Sequence, residues 1–367
     1  MFLKNIKLKN FRNYDCAEFE FKKNKTLFTG KNAQGKTNLL ESVFYLSALD
    51  SNRIKKDSEL IKFNEEMTSI SGTVLKDGVE IDLDVLINPP KNKIIKVNGL
   101  KKNKHKDFVR VLSVVNFMSS DLMLLRGEPS DRRKWLDLAI AQVYPQYLDK
   151  LSKFNKIRLQ KANYLSNFGI SADMLDVFNQ QLAIASSNIV YLRMKYLNEI
   201  KNIAFEKHKI ISETEELDIK YESDVICELI SIDKMTEMFL NALDESKEKE
   251  ILRQTCLIGP HRDDICFMIN GQDARKFASQ GQQRTLILAL KLSELDIITD
   301  KTNDTPLLLL DDVLAELDDK RQNYLLKSIK PEIQTIITSV DTFFFDEKFL
   351  ADVDIVNIEN GKIKAHL

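Results

Sequence analysis

Cysteine is scarce in this chain of 367 residues: Cys16, Cys227, Cys256 and Cys266 are scattered and form no C-x-x-C pair. That pattern argues against a zinc site or a disulfide scaffold and suits a reducing cytosol. An excess of positive charge is missing too, with 54 basic residues against 55 acidic ones and a net charge of -1. Such a balance carries no chain-wide attraction to nucleic acid, although one face can still be basic. No apolar run approaches the ~20 residues that a membrane span needs. No basic-then-apolar leader opens the chain. A soluble, cytoplasmic protein with no membrane contact is expected. Internal repeats and low-complexity segments are also absent.

What is present alternates between strand and helix patterns. Residues 1–30 alternate apolar and polar positions, ending in the short apolar run Leu27-Phe28-Thr29 before Gly30. From Asn38 to Leu49 the apolar spacing becomes helical. Residues 67–100 read as a β meander, with Asp77-Gly78 and Asn98-Gly99 as hairpin turns. The middle, about 130–250, is long, helical and poor in glycine. Strand character returns over Thr255–Asn270. A helix over 284–298, a strand Leu307–Leu310, a helix near 319–329 and a strand Thr335–Thr338 follow. Two strand-rich ends flanking a helical middle predict one α/β head built from 1–120 and 255–367, with 121–254 as an inserted helical arm.

Gly30 to Thr37, GKNAQGKT, fits G-x-x-x-x-G-K-[ST] at every fixed position, after a strand and at the start of a helix. Glycines there let successive N–H groups point at phosphate oxygens, and the helix N-terminus adds its positive end. The expected nucleotide contacts are Gly30, Lys31, Asn32, Ala33, Gln34, Gly35, Lys36, Thr37 and Asn38. Lys36 reaches the β and γ phosphates, and the Thr37 hydroxyl ligates Mg²⁺. Leu307 to Asp318, LLLLDDVLAELD, supplies a partner. Four leucines read as a strand buried on both faces, and two aspartates emerge at its C-terminal edge, where open α/β sheets bind ligands. Asp311 is placed to hold Mg²⁺ and Asp312 to activate water. Alone, such a run is more often a strand ending at a solvated turn.

Ala278 to Thr285, ASQGQQRT, raises a different question. Ser279, Gly281 and Gln282 are equipped to bind phosphate at the head of a helix, yet Gly30–Thr37 already does so. A second phosphate loop makes sense when it serves the nucleotide of another molecule, as in ATP-binding cassettes, where each ATP is sandwiched between one head's P-loop and the other's signature loop. The plain alternative is a polar helix cap.

These motifs together resemble the RecF family of bacterial recombination mediators, relatives of the SMC-type ATPase heads. The resemblance covers nearly the whole length. It rests on LKNFRNY (Leu8–Tyr14), GKNAQGKTNLLE (Gly30–Glu41), DLMLLRGEPSDRRKWLD (Asp121–Asp137), LIGPHRDD (Leu257–Asp264), FASQGQQRTLILALKLSE (Phe277–Glu294) and the leucine-aspartate run. Ala33 stands where the family usually has glycine, and little effect is expected. Ala315 stands where the family has serine. Transporter heads carry a switch histidine after the last core strand, and Thr338 here fits the family instead.

The resemblance implies a weak, DNA-dependent ATPase that uses ATP and Mg²⁺ and closes as an ATP-dependent homodimer on double-stranded DNA, at gaps and single-strand/double-strand junctions. RecR, RecO and RecA are the implied pathway partners. It also makes Arg12 a plausible nucleotide contact. The residues support DNA binding only in part. Lys91, Lys93, Lys96, Lys101, Lys102, Lys104 and Lys106 make a basic run around the Asn98-Gly99 turn, Lys7 and Lys9 share a strand face, and Arg132, Arg133 and Lys134 cluster. Any such run is more often a solvated face, and Arg132 and Arg133 have a structural alternative. His261 and Arg262 suit either a ligand contact or a sheet cap, while Trp135 suits the core. Against competing readings, Thr338 disfavours a transporter ATPase, the short middle disfavours a long SMC arm, and a small-molecule kinase leaves the signature unexplained.

Overall fold

The computed structural model describes residues 1–364 except 52, 110, 168 and 169. Fifteen strands lie among them: β1 Phe2–Phe11, β2 Tyr14–Glu20, β3 Lys25–Thr29, β4 Thr68–Lys76, β5 Val79–Ile87, β6 Ile94–Val97, β7 Leu100–Lys102, β8 Val114–Met118, β9 Leu217–Glu222, β10 Asp264–Ile269, β11 Gln272–Asp273, β12 Leu307–Asp311, β13 Thr335–Ser339, β14 Val353–Glu359 and β15 Lys362–Lys364. The chain divides into two compact units. The first holds Met1–Leu122, Ile210–Ser212 and Arg284–Leu367, and the second holds Met123–Lys209 and Glu213–Gln283.

The first unit carries two six-stranded sheets. One is an antiparallel meander in the order β2-β1-β4-β5-β6-β7. Its hairpins turn at Asp77-Gly78 and Asn98-Gly99 with paired positive φ, the tight turn that matches strand twist. The other runs β15-β14-β3-β13-β12-β8, and its β14, β3, β13, β12 and β8 are parallel. β8, β12 and β13 are buried along their whole length, the condition under which a run such as Leu307–Leu310 is apolar at every position. Four buried leucines at roughly 2 kcal/mol each outweigh the several kcal/mol, by order of magnitude, of drawing one carboxylate out of water. Asp311 is thereby held at the strand's end. Because β13 lies between β3 and β12, the C-terminal ends of all three meet at one edge.

The second unit contains the helices Pro129–Val143, Gln146–Leu165 and Ile232–Arg253, most of Ala172–Ser212, and a small sheet ordered β11-β10-β9. Lys161 is fully buried among these helices, 2.5 Å from Glu250 and 2.6 Å from Asn179. Segment 255–283 lies here and not with the head as expected. β10 pairs antiparallel with β9, which the helical reading of 130–250 had missed, and Arg132 grips Asp264 with two bonds of 2.7 and 2.9 Å. Two further expectations shift. The strand expected from Thr255 begins at Asp264, and the helix expected from 284 begins at Gln280 and reaches Thr302. No helix among the described residues is long and apolar enough to cross a membrane.

Candidate nucleotide site and signature segment

β3 ends at Thr29, and Gly30 leaves the sheet at φ 151°. A Cβ on Gly30 would stand 2.4 Å from the Ile358 carbonyl oxygen of β14. Gly35 takes φ 115°, and a Cβ there would meet the Asn13 amide at 2.7 Å and the Tyr14 hydroxyl at 2.9 Å. Backbone angle and space both demand glycine at these two fixed positions. Ala33 takes φ 65° between them. The left-handed region costs a residue with a Cβ roughly 1–2 kcal/mol, so the loop holds that strain at Ala33.

Neighbouring elements brace the loop. The Asn13 side-chain amide donates to the Gln34 carbonyl at 3.2 Å and the Tyr14 hydroxyl to the Gly35 carbonyl at 3.0 Å. From the β14–β15 turn, the Gly361 N–H donates to the same Gln34 carbonyl at 3.0 Å and the Asn360 N–H to Gln34 Oε1 at 2.6 Å. A cleft of about 600 Å³ opens beside the loop, lined among others by Gly30, Lys31, Gln34, Asp341 and Asn357.

Lys36 begins the helix Lys36–Ala48, and its side chain is only 4% exposed. Its ammonium donates to the carbonyls of Gly30 at 2.7 Å and Lys31 at 3.2 Å, with Asp312 Oδ2 at 3.9 Å. The Thr37 hydroxyl donates to Asp311 Oδ1 at 3.0 Å, and the Thr338 hydroxyl donates to the same oxygen at 2.7 Å. Thr338 Oγ1 also accepts the Asp312 N–H at 3.0 Å. Thr338 thus ties both acids together, because Asp311 and Thr338 are register partners on β12 and β13. Burial raises the Asp311 carboxyl above its ordinary value, and the bonds from Thr338 and Thr37 oppose that rise. A buried ammonium, a glycine-braced loop and a helix N-terminus fit a phosphate chain. A carboxylate beside a hydroxyl is a hard-oxygen pair that fits Mg²⁺ completed by phosphate and water.

Arg12 is spoken for within the chain. Its guanidinium pairs with Glu41 at 3.0 and 2.9 Å and donates to the Glu59 carbonyl at 2.8 Å. Glu41 is buried and also accepts from Arg53 at 2.8 Å and Ser51 at 2.7 Å, while Arg53 donates to Asn38 at 3.1 Å. This cluster beside the loop was not foreseen, since no local spacing links residues 12, 41 and 53.

Ser279, Gly281 and Gln282 lie in the second unit, so Gly30–Asn38, Asp311 and Asp312 gather in one unit without them. Gln280 opens the helix Gln280–Thr302, and Ser279 and Gln282 form a reciprocal cap. The Gln282 N–H donates to Ser279 Oγ at 3.3 Å, and the Ser279 N–H donates to Gln282 Oε1 at 2.7 Å. The stretch expected to be a loop is therefore mostly the first turn of a helix, and the capping alternative describes its local bonding.

The basic residues separate by environment. Lys93 turns inward, donating to the Leu49 carbonyl at 2.7 Å and the Tyr45 hydroxyl at 3.1 Å, with Asp57 at 3.1 Å, so it is a brace for the meander. Lys91, Lys96, Lys101 and Lys104 are exposed, while Lys102 and Lys106 are half-buried. Lys91, Lys101 and Lys102 line a cleft of about 520 Å³. Lys7 pairs with Glu18 at 2.7 Å. Arg132 is buried in its pair with Asp264, and Arg133 donates to the Asp263 carbonyl at 2.7 Å, which is the structural alternative. Burial lowers His261 to about 4, leaving a neutral ring tilted against Phe154. Trp135 packs in the core against Phe267.

Residues 2–364 match the family described as RecF/RecN/SMC N terminal domain. The DNA replication and repair protein RecF of Streptococcus agalactiae serotype V is 43% identical over 366 residues, covering 99% of this chain and 98% of that protein. A solved structure described as the recombination mediator protein RecF-ATP in the RecFOR pathway superimposes with a TM-score of 0.92 at 35% identity, covering 100% of this chain and 97% of the other. An Smc head bound to the C-winged helix domain of ScpA matches at a TM-score of 0.55 and 15% identity over 100% of this chain and 98% of the other, a likeness of fold. The chain has the ATP-binding-cassette head fold with a helical insertion, and it belongs to the RecF family of DNA replication and repair proteins.

Proposed function

We propose that this chain binds ATP and Mg²⁺ at Gly30–Asn38, Asp311 and Asp312, and that ATP closes two copies around double-stranded DNA. The observation that carries the reading is the set of bonds joining Lys36 to its loop and Thr37 and Thr338 to Asp311. Lys36 would exchange loop carbonyls for phosphate oxygens. Thr338 would keep Asp311 aimed at the Thr37 hydroxyl. Asp312 would accept a proton from attacking water. Bound Mg²⁺ would neutralise charge on the phosphate oxygens. Ser279, Gly281 and Gln282 would face the ATP of the second copy, a role that a helix cap does not preclude. Exposed Lys91, Lys96, Lys101 and Lys104 would contribute phosphate contacts with DNA, with Lys102 and Lys106 alongside. In the cytoplasm, the closed dimer would act at gaps and junctions with RecR and RecO to promote RecA loading. Slow, DNA-dependent hydrolysis would reopen it. The family membership and the RecFOR description of the similar structure support the pathway.

Sedimentation without nucleotide, with ADP and with ATP, each with and without duplex DNA, tests the closure. Wild type should shift from monomer to dimer with ATP alone, and DNA should reinforce the shift. Ser279→Arg should bind ATP as a monomer but fail to dimerise, because a bulky charge would enter the seam. Normal ATP-driven dimerisation of Ser279→Arg refutes the two-copy reading.

Thr338→Val removes one hydroxyl and keeps the shape. Losing its donor and acceptor bonds costs about 1–3 kcal/mol, which should appear mainly in kcat, roughly a 10-fold fall. Thr338→Ser should restore turnover. Steady-state hydrolysis beside a nucleotide titration checks the split.

A further inference from the structure

Gln282 has a partner outside its cap. Its side-chain Nε2 donates to Glu215 Oε1 at 2.9 Å while its Oε1 accepts the Ser279 N–H at 2.7 Å. Both ends of the amide are therefore engaged. Glu215 lies in the connection between the helix Ala172–Ser212 and β9, and His208, Glu215, Ser279 and Gln282 all belong to the second unit. Its other oxygen stands 3.1 Å from Nε2 of His208, a fully buried residue of that helix.

The backbone on either side of Glu215 is held as well. Glu213 turns out of the helix at φ 70°, with its N–H on the Lys209 carbonyl at 2.8 Å. The Glu216 N–H donates to Asn270 Oδ1 at 2.8 Å, and the Asn270 N–H returns to the Glu216 carbonyl at 2.9 Å. Glu215 is thus a carboxylate on a clamped connection, aimed at a residue of the signature segment. A surface glutamine capping its own helix has several rotamers. One whose amide is also held by an oriented carboxylate has its choice narrowed, since a charged acceptor makes the stronger bond.

We infer that Glu215 is a positioning residue of the signature segment. It fixes the Gln282 amide and, through the reciprocal cap, the Ser279 hydroxyl and the first helical turn. His208 orients Glu215, so the end of the 41-residue helix Ala172–Ser212 is linked to the segment that would meet the second copy's nucleotide. This inference rests on the proposed closure of two copies.

The test uses Glu215→Ala, Glu215→Gln and Ser279→Arg in the full chain, with a fluorescent ATP analogue, sedimentation and steady-state hydrolysis. Nucleotide affinity of monomeric Glu215→Ala should stay within about 2-fold of wild type, since its loop is untouched. The protein concentration for half-dimerisation with ATP should rise, and kcat fall, each by about 10-fold, the scale of one charge-assisted bond. Glu215→Gln keeps an oxygen that accepts from Gln282 and should recover most of both. Mixing Glu215→Ala with Lys36→Ala should give more hydrolysis than the two separately, because one composite site in the mixed pair is undamaged. Wild-type dimerisation and kcat in Glu215→Ala, or equal losses in the Ala and Gln variants, would overturn the role of Glu215 while Ser279→Arg still blocks closure. If Ser279→Arg closes normally, the two-copy reading itself falls.

Discussion

Lys36→Ala is expected to weaken ATP binding by a few hundred-fold or more and to abolish ATP-driven dimerisation with it. The ammonium is buried and bonded to the carbonyls of Gly30 and Lys31, so it sits at the centre of the loop. Bonds between a charged donor and phosphate contribute about 1.5–3 kcal/mol each. Losing two costs about 3–6 kcal/mol, at about 1.4 kcal/mol per decade of affinity. Arginine should not rescue, because its planar fork demands room that a side chain 4% exposed does not have. Titration with a fluorescent ATP analogue checks the effect, with circular dichroism confirming the fold. A dissociation constant within tenfold of wild type would remove Lys36 from the proposed phosphate site.

Asp312→Asn should do the opposite to the dimer. Asp312 holds φ 51°, a region that asparagine tolerates well, and its N–H keeps the Thr338 hydroxyl. The change therefore spares the backbone and removes only the proton acceptor. Loss of a general base lowers turnover by about 10²–10⁴-fold. ATP should bind at least as tightly, because a negative group 3.9 Å from the Lys36 ammonium is gone. The ATP-bound dimer should then persist for as long as ATP remains intact. Single-turnover hydrolysis and repeated sedimentation measure both. A kcat reduced less than tenfold would assign water activation to another residue.

Features that depend on near neighbours were legible in the sequence. The loop Gly30–Thr37 needs glycine where its own turn takes the backbone to positive φ, at Gly30 and Gly35. Asp77-Gly78 and Asn98-Gly99 were legible for the same reason, and Leu307–Leu310 because a strand buried on both faces admits few other compositions. Features that depend on a distant partner were not. Glu41 reads as an ordinary helical acid until Arg12 and Arg53 arrive from other segments. Lys93 belongs to a basic run, yet Tyr45, Leu49 and Asp57 draw it inward. The Leu217–Glu222 strand was hidden in a helical stretch, and its pairing with β10 moved residues 255–283 out of the expected head.

The amino-acid sequence alone determined the P-loop, the paired acids and the meander, because spacing and local backbone geometry encode each of them, and its motifs from Leu8–Tyr14 to Leu307–Asp318 carried the family resemblance. Only the tertiary structure decided which charges are braces, that Thr338 bonds both acids, and that Glu215 holds Gln282. Those outcomes turn on which donor meets which acceptor across many residues. Hydrogen bonds and ion pairs are short-ranged, and the fold alone brings such partners within 3 Å or so of each other.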